Sequence, residues 1–564
     1  MIRVASHVLA LAATAAVIAL PTGTAAQDTL AVEVEEDREE AEEENPFRDF
    51  ERLVRGAEVS PGFFDLYTKA GRLYLAVPAD RLGQEFLMDT RVAQGIGAAG
   101  LFAGTTISTF EMDLMAFEKR GENVLLVQRP HRFGAESDDR AALAVSVSVG
   151  SSVIQSADVE AIRPDSALVL DVTGWFLSDL SGVGELTRRA ARGSNGQSGS
   201  ASFDRSRSYI DGVSSFPENT NIRAMLTFRS GRQGGAPSVA DGRYIPVTIH
   251  YTLAQLPERP MERRVADDRV GNFMTVHKDF SSLDSTFFRR YVNRWRLEPG
   301  ERVGDLRRPV EPITYYIDRT VPDEYRGWFK EAVENWNTAF EAAGWVDAIR
   351  ALDLPDDADP NDIRYSVLRW NTSDDPGYSA IGPSKVDPRT CEILDADILF
   401  EANGFRGFRN TWRNIVNPVT AAEAFEMVLG VGEFQAPDPN LPGMELPGFG
   451  SALEAQGALA GLVLAARDEL DPGDPLPDEL LRQYTVWLVM HEVGHTLGLR
   501  HNFRSSASTP MDRLHNTEFT RRNGVYSSVM EYPTVNLAGP GEPSGDYYTH
   551  DAGSYDRWAI SYAY

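Results

Sequence analysis

The residues whose types and spacing could do chemistry are His491-Glu492-Val493-Gly494-His495-Thr496-Leu497-Gly498-Leu499-Arg500-His501, in the pattern H-E-x-x-H-x-x-G-x-x-H. His491 and His495 are four apart, so at about 100° per residue they differ by roughly 40° around a helix and sit one turn apart on one face. Two imidazoles so placed can close on one metal ion. A continued helix would carry His501 about 15 Å beyond His491 and turn it elsewhere, so the helix must end between them. Gly498 lacks a Cβ and can take the left-handed conformation that stops a helix and turns the chain back, returning His501 to the same metal. Three neutral histidines plus a water make the open tetrahedral zinc site of a hydrolase, and Glu492, next to the first ligand, is placed to take that water's proton. A second arrangement keeps His491 and His495 and takes Glu518 as third ligand, but it leaves Gly498 and His501 without a purpose.

These ligands need a helix, and the sequence predicts one over 478–497, started by Pro477. Ahead of it, Ile313-Thr-Tyr-Tyr-Ile317 reads as a strand, and 325–343 as a helix whose Trp328, Phe329, Ala332, Trp336, Ala339 and Phe340 form one apolar stripe for the core. Two further strands are expected at 363–370 and 393–400, the aspartates of 353–362 forming a solvated turn. The segment 403–476, rich in Pro and Gly around 436–450, reads as an irregular loop beside the cleft that restricts which substrates enter. From 63 to 253 the pattern is short period-two runs broken by Gly, Pro, Asp and Asn, such as Arg72-Leu-Tyr-Leu-Ala-Val77 and Tyr244-Ile-Pro-Val-Thr-Ile-His-Tyr251, which predicts a largely antiparallel β region. His131, His250 and His277 are scattered through this part and its continuation without ligand spacing, as ordinary surface or core histidines are.

The zinc motif is followed by Ser528-Val-Met-Glu-Tyr-Pro533. Together they resemble the metzincin zinc peptidases, and Ser-Val-Met-x-Tyr is similar to the form found in the astacin and serralysin branches. The resemblance implies that Met530 is the apolar floor of a methionine turn beneath the zinc, and that Tyr532 reaches the metal or the transition state. Trp295-Arg-Leu, Asp387-Pro-Arg-Thr, the run from Met490 through Phe503 and Tyr555-Asp-Arg-Trp-Ala-Ile560 look like a group of exported bacterial zinc-dependent metalloproteases with uncharacterised β-rich domains ahead of the peptidase unit. Cys391 stands where that group usually has glycine. It reads as a small buried side chain, a thiolate cap on the zinc being the alternative. The chain ends at Tyr564, inside the expected last helix, where relatives tend to continue, as a fragment would. An extended substrate is expected along an edge strand at 395–400.

The chain has 564 residues, more than one core accommodates. It divides into a signal peptide (1–26, with Arg3 ahead of an apolar run), an acidic disordered linker (27–55), a β-rich region (56–255), a connecting segment (256–310) and a metzincin-like zinc peptidase domain (311–564) with the insertion 403–476. The fold class is α+β: twisted sheet, active-site helix and methionine turn behind an antiparallel β region. With 83 acidic and 55 basic residues the net charge is −28, which argues against nucleic acid and anionic membrane surfaces as partners. No run is long and apolar enough to span a bilayer, and the one cysteine excludes an internal disulfide. The expected protein is a secreted or periplasmic zinc endopeptidase acting on protein or peptide, with Glu492 as general base. The alternative is a β-rich binding or adhesion protein that keeps a zinc-stabilised fold for its shape.

Overall fold

The computed structural model describes residues 47–97, 100–107, 113–135, 139–191, 200–230, 239–282, 286–372, 379–416, 449–471, 474–539 and 541–564. The signal segment 1–26, the acidic stretch up to Pro46, most of the Gly/Ser-rich loop near 192–202 and the middle of the insertion, 417–448, lie outside them.

The period-two runs of the first half pair into a 12-stranded sheet. Neighbouring strands in it are antiparallel throughout, from Glu58–Ser60 at one end to Ala201–Phe203 and Tyr209–Ser215 at the other. A sheet this wide curls under its own twist. Its two ends meet here: Phe63 N–H donates to Phe216 O at 2.7 Å and Phe64 N–H to Thr220 Oγ1 at 2.9 Å. The interior holds the rings of Phe64, Phe86 and Phe117 within 5.0–5.5 Å of one another, with Leu75, Leu226 and Ile249 around them.

The segment 256–310 has regular structure of its own. Met274–Asp279 pairs with Phe288–Val292 and, in parallel, with Phe133–Gly134 of the β region. Alternate residues of Met274–Asp279 are buried, which is the period-two signature of a one-sided strand.

The second half is built on a five-stranded sheet in the order Ile349–Asp353, Ile313–Ile317, Ser366–Asn371, Ile398–Glu401, Ala380–Ile381, parallel except for the last strand. The active-site helix, Asp478–Thr496, is buried almost throughout, its core shared with Trp336, Phe329 and Phe400. Three expectations change. The helix expected over 325–343 is two, Asp323–Glu334 and Asn337–Ala342. The break comes where the Asn337 amide accepts from Ala348 and Ile349 N–H and donates to Ile349 O, tying the chain to the neighbouring strand. The strand expected at 393–400 is also two, Glu392–Ala396 and Ile398–Glu401, in different sheets. Asp397 divides them, its carboxylate turned to Val367 N–H, Arg369 and Arg91. The insertion, expected as irregular, carries two helices, Ala402–Val416 and Phe449–Ala466.

The two halves share one compact unit, 47–564. They are joined by an apolar patch, in which Leu87, Leu114 and Ala254 of the β region meet Ile363, and by polar groups beside it. Asn219 and Asn221 amides donate to Asn361 O at 3.0 and 2.8 Å, and Ile363 N–H returns a bond to Asn219 Oδ1. Beside them Arg91 from the β region and Arg369 each lie 3.6 Å from Asp397, while Lys385 pairs with buried Asp395. Burial, then the nearby Asp397 carboxylate, pushes Asp395 up to about 6, against the pull of Lys385. Removing one partner of such a buried pair strands the other in the interior. Lys385→Met is therefore expected to lower the unfolding free energy by about 3–5 kcal/mol, read as a shift of the urea midpoint. A change under about 1 kcal/mol would mean that Asp395 finds solvent or another cation.

Candidate active site

His491 and His495 project from the last turns of the active-site helix, which ends at Thr496. Leu499 N–H bonds to Gly494 O at 2.9 Å and Gly498 N–H to His495 O at 3.0 Å, the paired bonds of a Schellman stop. Gly498 is needed there twice over. Its φ is +92°, and a Cβ would overlap the carbonyl oxygen of Asn293. Beyond the stop, the chain is held by an isolated antiparallel bridge between Leu499 and Asn272: Phe273 N–H donates to Gly498 O at 2.7 Å and Arg500 N–H to Gly271 O at 2.8 Å. This pairing brings His501 back. The three imidazoles come together with their candidate ligand atoms all within 4.8 Å, and His495 and His501 place their Nε2 atoms 3.0 Å apart.

Second partners fix which nitrogens face inward. His491 Nδ1 bonds to Val529 O at 2.8 Å and His495 Nδ1 to Leu499 O at 2.9 Å, so in each ring Nε2 is left for a metal. The Nε2 of His491 is buried without a hydrogen-bond partner, which a cation in the site would satisfy. Burial holds all three histidines neutral: His491 well below its ordinary value, His495 down to about 4 and His501 down to about 3. Neutral imidazoles with inward Nε2 are the donor set zinc takes, so the residues fit the ion.

Met530 packs against the active-site helix at Gly494. A Cβ on Gly494 would overlap Met530 Sδ and come within 2.8 Å of Trp336 Cζ2, so the glycine inside the helix motif is what lets the methionine approach. The methionine turn is hung from one carboxylate. Asp556, fully buried, accepts from Ser528 Oγ at 2.6 Å, Val529 N–H at 2.9 Å and Gly553 N–H at 2.9 Å. Burial raises its pKa to about 6 while these donors pull it down. Tyr532 stacks on His491 with ring centroids 5.3 Å apart and lies 4.3 Å from the ring of His501. Glu492 is buried, and a Cβ on Gly382 would stand 3.5 Å from its Oε2, so its carboxylate looks towards the end of the edge strand Ala380–Ile381.

Other candidates stand apart from this group. Glu518 is exposed on the helix Thr517–Asn523 and is not among the converging ligands. Cys391 is buried at φ +65°, which accounts for the glycine expected there, and it too is outside the ligand group. His277 bonds to Pro388 O at 2.8 Å. Sequence reasoning gave no role to Gly494, Gly382 or Asp556. Asp556 falls in the stretch Tyr555–Ile560 that carries the resemblance, and its place three residues into the last helix, after Gly553, is one where an acid caps the helix start.

Residues 473–564 match the Met-zincin family. With the histidine cluster, this marks a metzincin-like domain at the C-terminal end and suggests a zinc metalloprotease. Residues 108–300 and 47–95 match two families described as domains of unknown function. No curated protein and no solved structure matches the chain. Among the described residues no helix is long and apolar enough to cross a membrane.

Purified protein is expected to hold about one zinc per chain by elemental analysis, to lose it with His501→Ala and to keep it with Glu518→Ala. Zinc retained by the first variant and lost by the second would move the site to the carboxylate arrangement.

Proposed function

We propose that the chain is an exported zinc-dependent endopeptidase of protein or peptide substrates. The observation that carries this reading is the convergence of three neutral imidazoles, with Nε2 atoms inward, directly beside a buried glutamate. A zinc ion held by His491, His495 and His501 supplies Lewis-acid activation of water and of the scissile carbonyl. The remaining steps belong to side chains of this protein. Glu492 takes a proton from the attacking water on its carboxylate and hands it to the leaving amine. The Tyr532 phenol donates a hydrogen bond to the oxyanion that develops. Met530, with no ligand role, closes the floor and keeps water from the back of the histidines.

The antiparallel edge of the sheet is Ala380–Ile381 and not 395–400, whose halves are paired on both sides or turned into the interior. An extended substrate adds to that edge by main-chain bonds, which brings its backbone past Glu492 and Gly382. Export rests on the amino-terminal pattern of a basic residue, an apolar run and small residues.

Hydrolysis of a peptide mixture by the wild type, against Glu492→Ala as background, separates a peptidase from a binding protein that keeps the fold. Cleavage that survives Glu492→Ala would remove the proposed base. Tyr532→Phe is expected to keep zinc, leave KM nearly unchanged and lower kcat by roughly 10- to 1,000-fold, the range for losing one oxyanion donor. Full kcat in that variant would reduce Tyr532 to packing.

A further inference from the structure

The segment that carries Tyr532 leaves the methionine turn as Tyr532-Pro533-Thr534-Val535, with no helix or strand to hold it. Its placement rests on side-chain bonds. Tyr532 N–H donates to Glu531 Oε1 at 3.2 Å, the Tyr526 hydroxyl donates to Thr534 O, and Val535 N–H donates to Oε1 of Gln456 at 2.9 Å. Gln456 is the outsider among these partners. It belongs neither to the methionine turn nor to the active-site helix but to the second helix of the insertion, Phe449–Ala466.

That helix is held in one position along its axis. A Cβ on Gly457 would overlap the carbonyl of Phe408, and one on Gly461 would run into the ring of Trp412, so both glycines sit hard against the first inserted helix, Ala402–Val416. Phe408 is stacked in turn on Tyr484 of the active-site helix, centroids 3.8 Å apart. The same Gln456 oxygen also accepts from the Tyr548 hydroxyl at 3.5 Å, and Tyr548 stacks on Trp487, whose indole donates to Val529 O. The start of the edge strand is tied to the insertion as well. Gly404 packs against Ser379, next to the edge strand, where a Cβ would come within 3.1 Å of the serine oxygen. The inserted helices therefore touch the edge strand at one end and the Tyr532 segment at the other.

We propose that Gln456 is a positioning residue for the peptide hydrolysis assigned above: by holding Val535 N–H it sets the 532–535 segment, and with it the Tyr532 phenol, against His491 and His501. This rests on the peptidase reading. The insertion then serves turnover through a buried backbone bond, and its role is not confined to filling the core. Val535 is buried, so its N–H has little access to water if the glutamine oxygen is removed.

A double-mutant cycle with Tyr532→Phe tests this, with zinc content measured on every protein. Gln456→Met keeps the length and unbranched shape of the side chain and removes the acceptor. It is expected to lower kcat about 5- to 50-fold with KM within about two-fold, whereas Gln456→Glu, which keeps an acceptor oxygen, stays within about two-fold of wild type. In the Tyr532→Phe background the further loss from Gln456→Met is expected to shrink below about two-fold, because the phenol it places is no longer there. Gln456→Asn, one methylene shorter, gives the same comparison should Gln456→Met fail to fold. Equal losses in both backgrounds, or no loss in either, would overturn the inference while the wild type still cleaves. A zinc-loaded wild type that cleaves nothing would overturn the peptidase reading and this inference with it.

Discussion

The hydrogen bond from His491 Nδ1 to the carbonyl of Val529 is the joint on which the site depends. It sets the tautomer and angle of the first ligand, and it ties a residue of the active-site helix to a turn 38 residues further along the chain. The turn can offer that carbonyl because its own backbone is fixed on the opposite side. Asp556 takes the N–H of the same Val529 and the hydroxyl of Ser528, and the indole of Trp487 donates to the Val529 carbonyl alongside the histidine. One residue, Val529, is thus gripped through its N–H by the last helix and through its carbonyl by the helix Asp478–Thr496. The floor beneath the ligands is correspondingly tight. Met530 reaches Gly494 only because that residue has no side chain, so the glycine of the helix motif and the methionine of the turn are two halves of one contact.

The β region contributes by rigid attachment. Its contact with the second half combines an apolar patch of Leu87, Leu114 and Ala254 against Ile363 with an amide clasp at Asn219, Asn221 and Asn361 and an ionic cluster in which Arg91 meets Asp397. Buried charge of this kind adds little net stability compared with an apolar seam, but it penalises misregistered docking heavily, because any slip leaves a charge unpaired. Asp397 is also the residue that splits the strand expected at 393–400 and sends Ile398–Glu401 into the catalytic sheet beside its edge strand. The β region therefore touches the residue that decides where the edge of the sheet falls. A Cβ on Gly104 of the same region would overlap Leu399, the partner of Ile381 across that edge.

What could be read from the sequence follows from how local each feature is. The meeting of His491, His495 and His501 depends on eleven consecutive residues, a helix period and one glycine able to adopt positive φ, all visible without tertiary information. The antiparallel character of the first half was legible in its alternation, and a glycine-like backbone at Cys391 in the departure from the pattern it resembles. The failures are long-range. The eight-residue run 393–400 containing Asp395 and Asp397 looks continuous in one dimension, and the groups that turn Asp397 inward, Val367 N–H, Arg369 and Arg91, lie outside it, Arg91 some 300 positions away. The insertion reads as loop because Gly and Pro dominate its middle. Its glycines at 457 and 461 are nevertheless contact points between helices, which needs the partner helix to be known. Asp556 lies 26 residues beyond Met530, and nothing in between connects them in sequence.

Zinc K-edge X-ray absorption on the loaded protein tests the account most directly, since it reads the ligand shell whether or not a substrate is known. Three imidazole nitrogens and one oxygen at about 2.0–2.1 Å, with imidazole multiple scattering for three rings, are the expected result. A sulfur scatterer at about 2.3 Å, which would bring in Cys391, or a shell of two imidazoles and a carboxylate would contradict it.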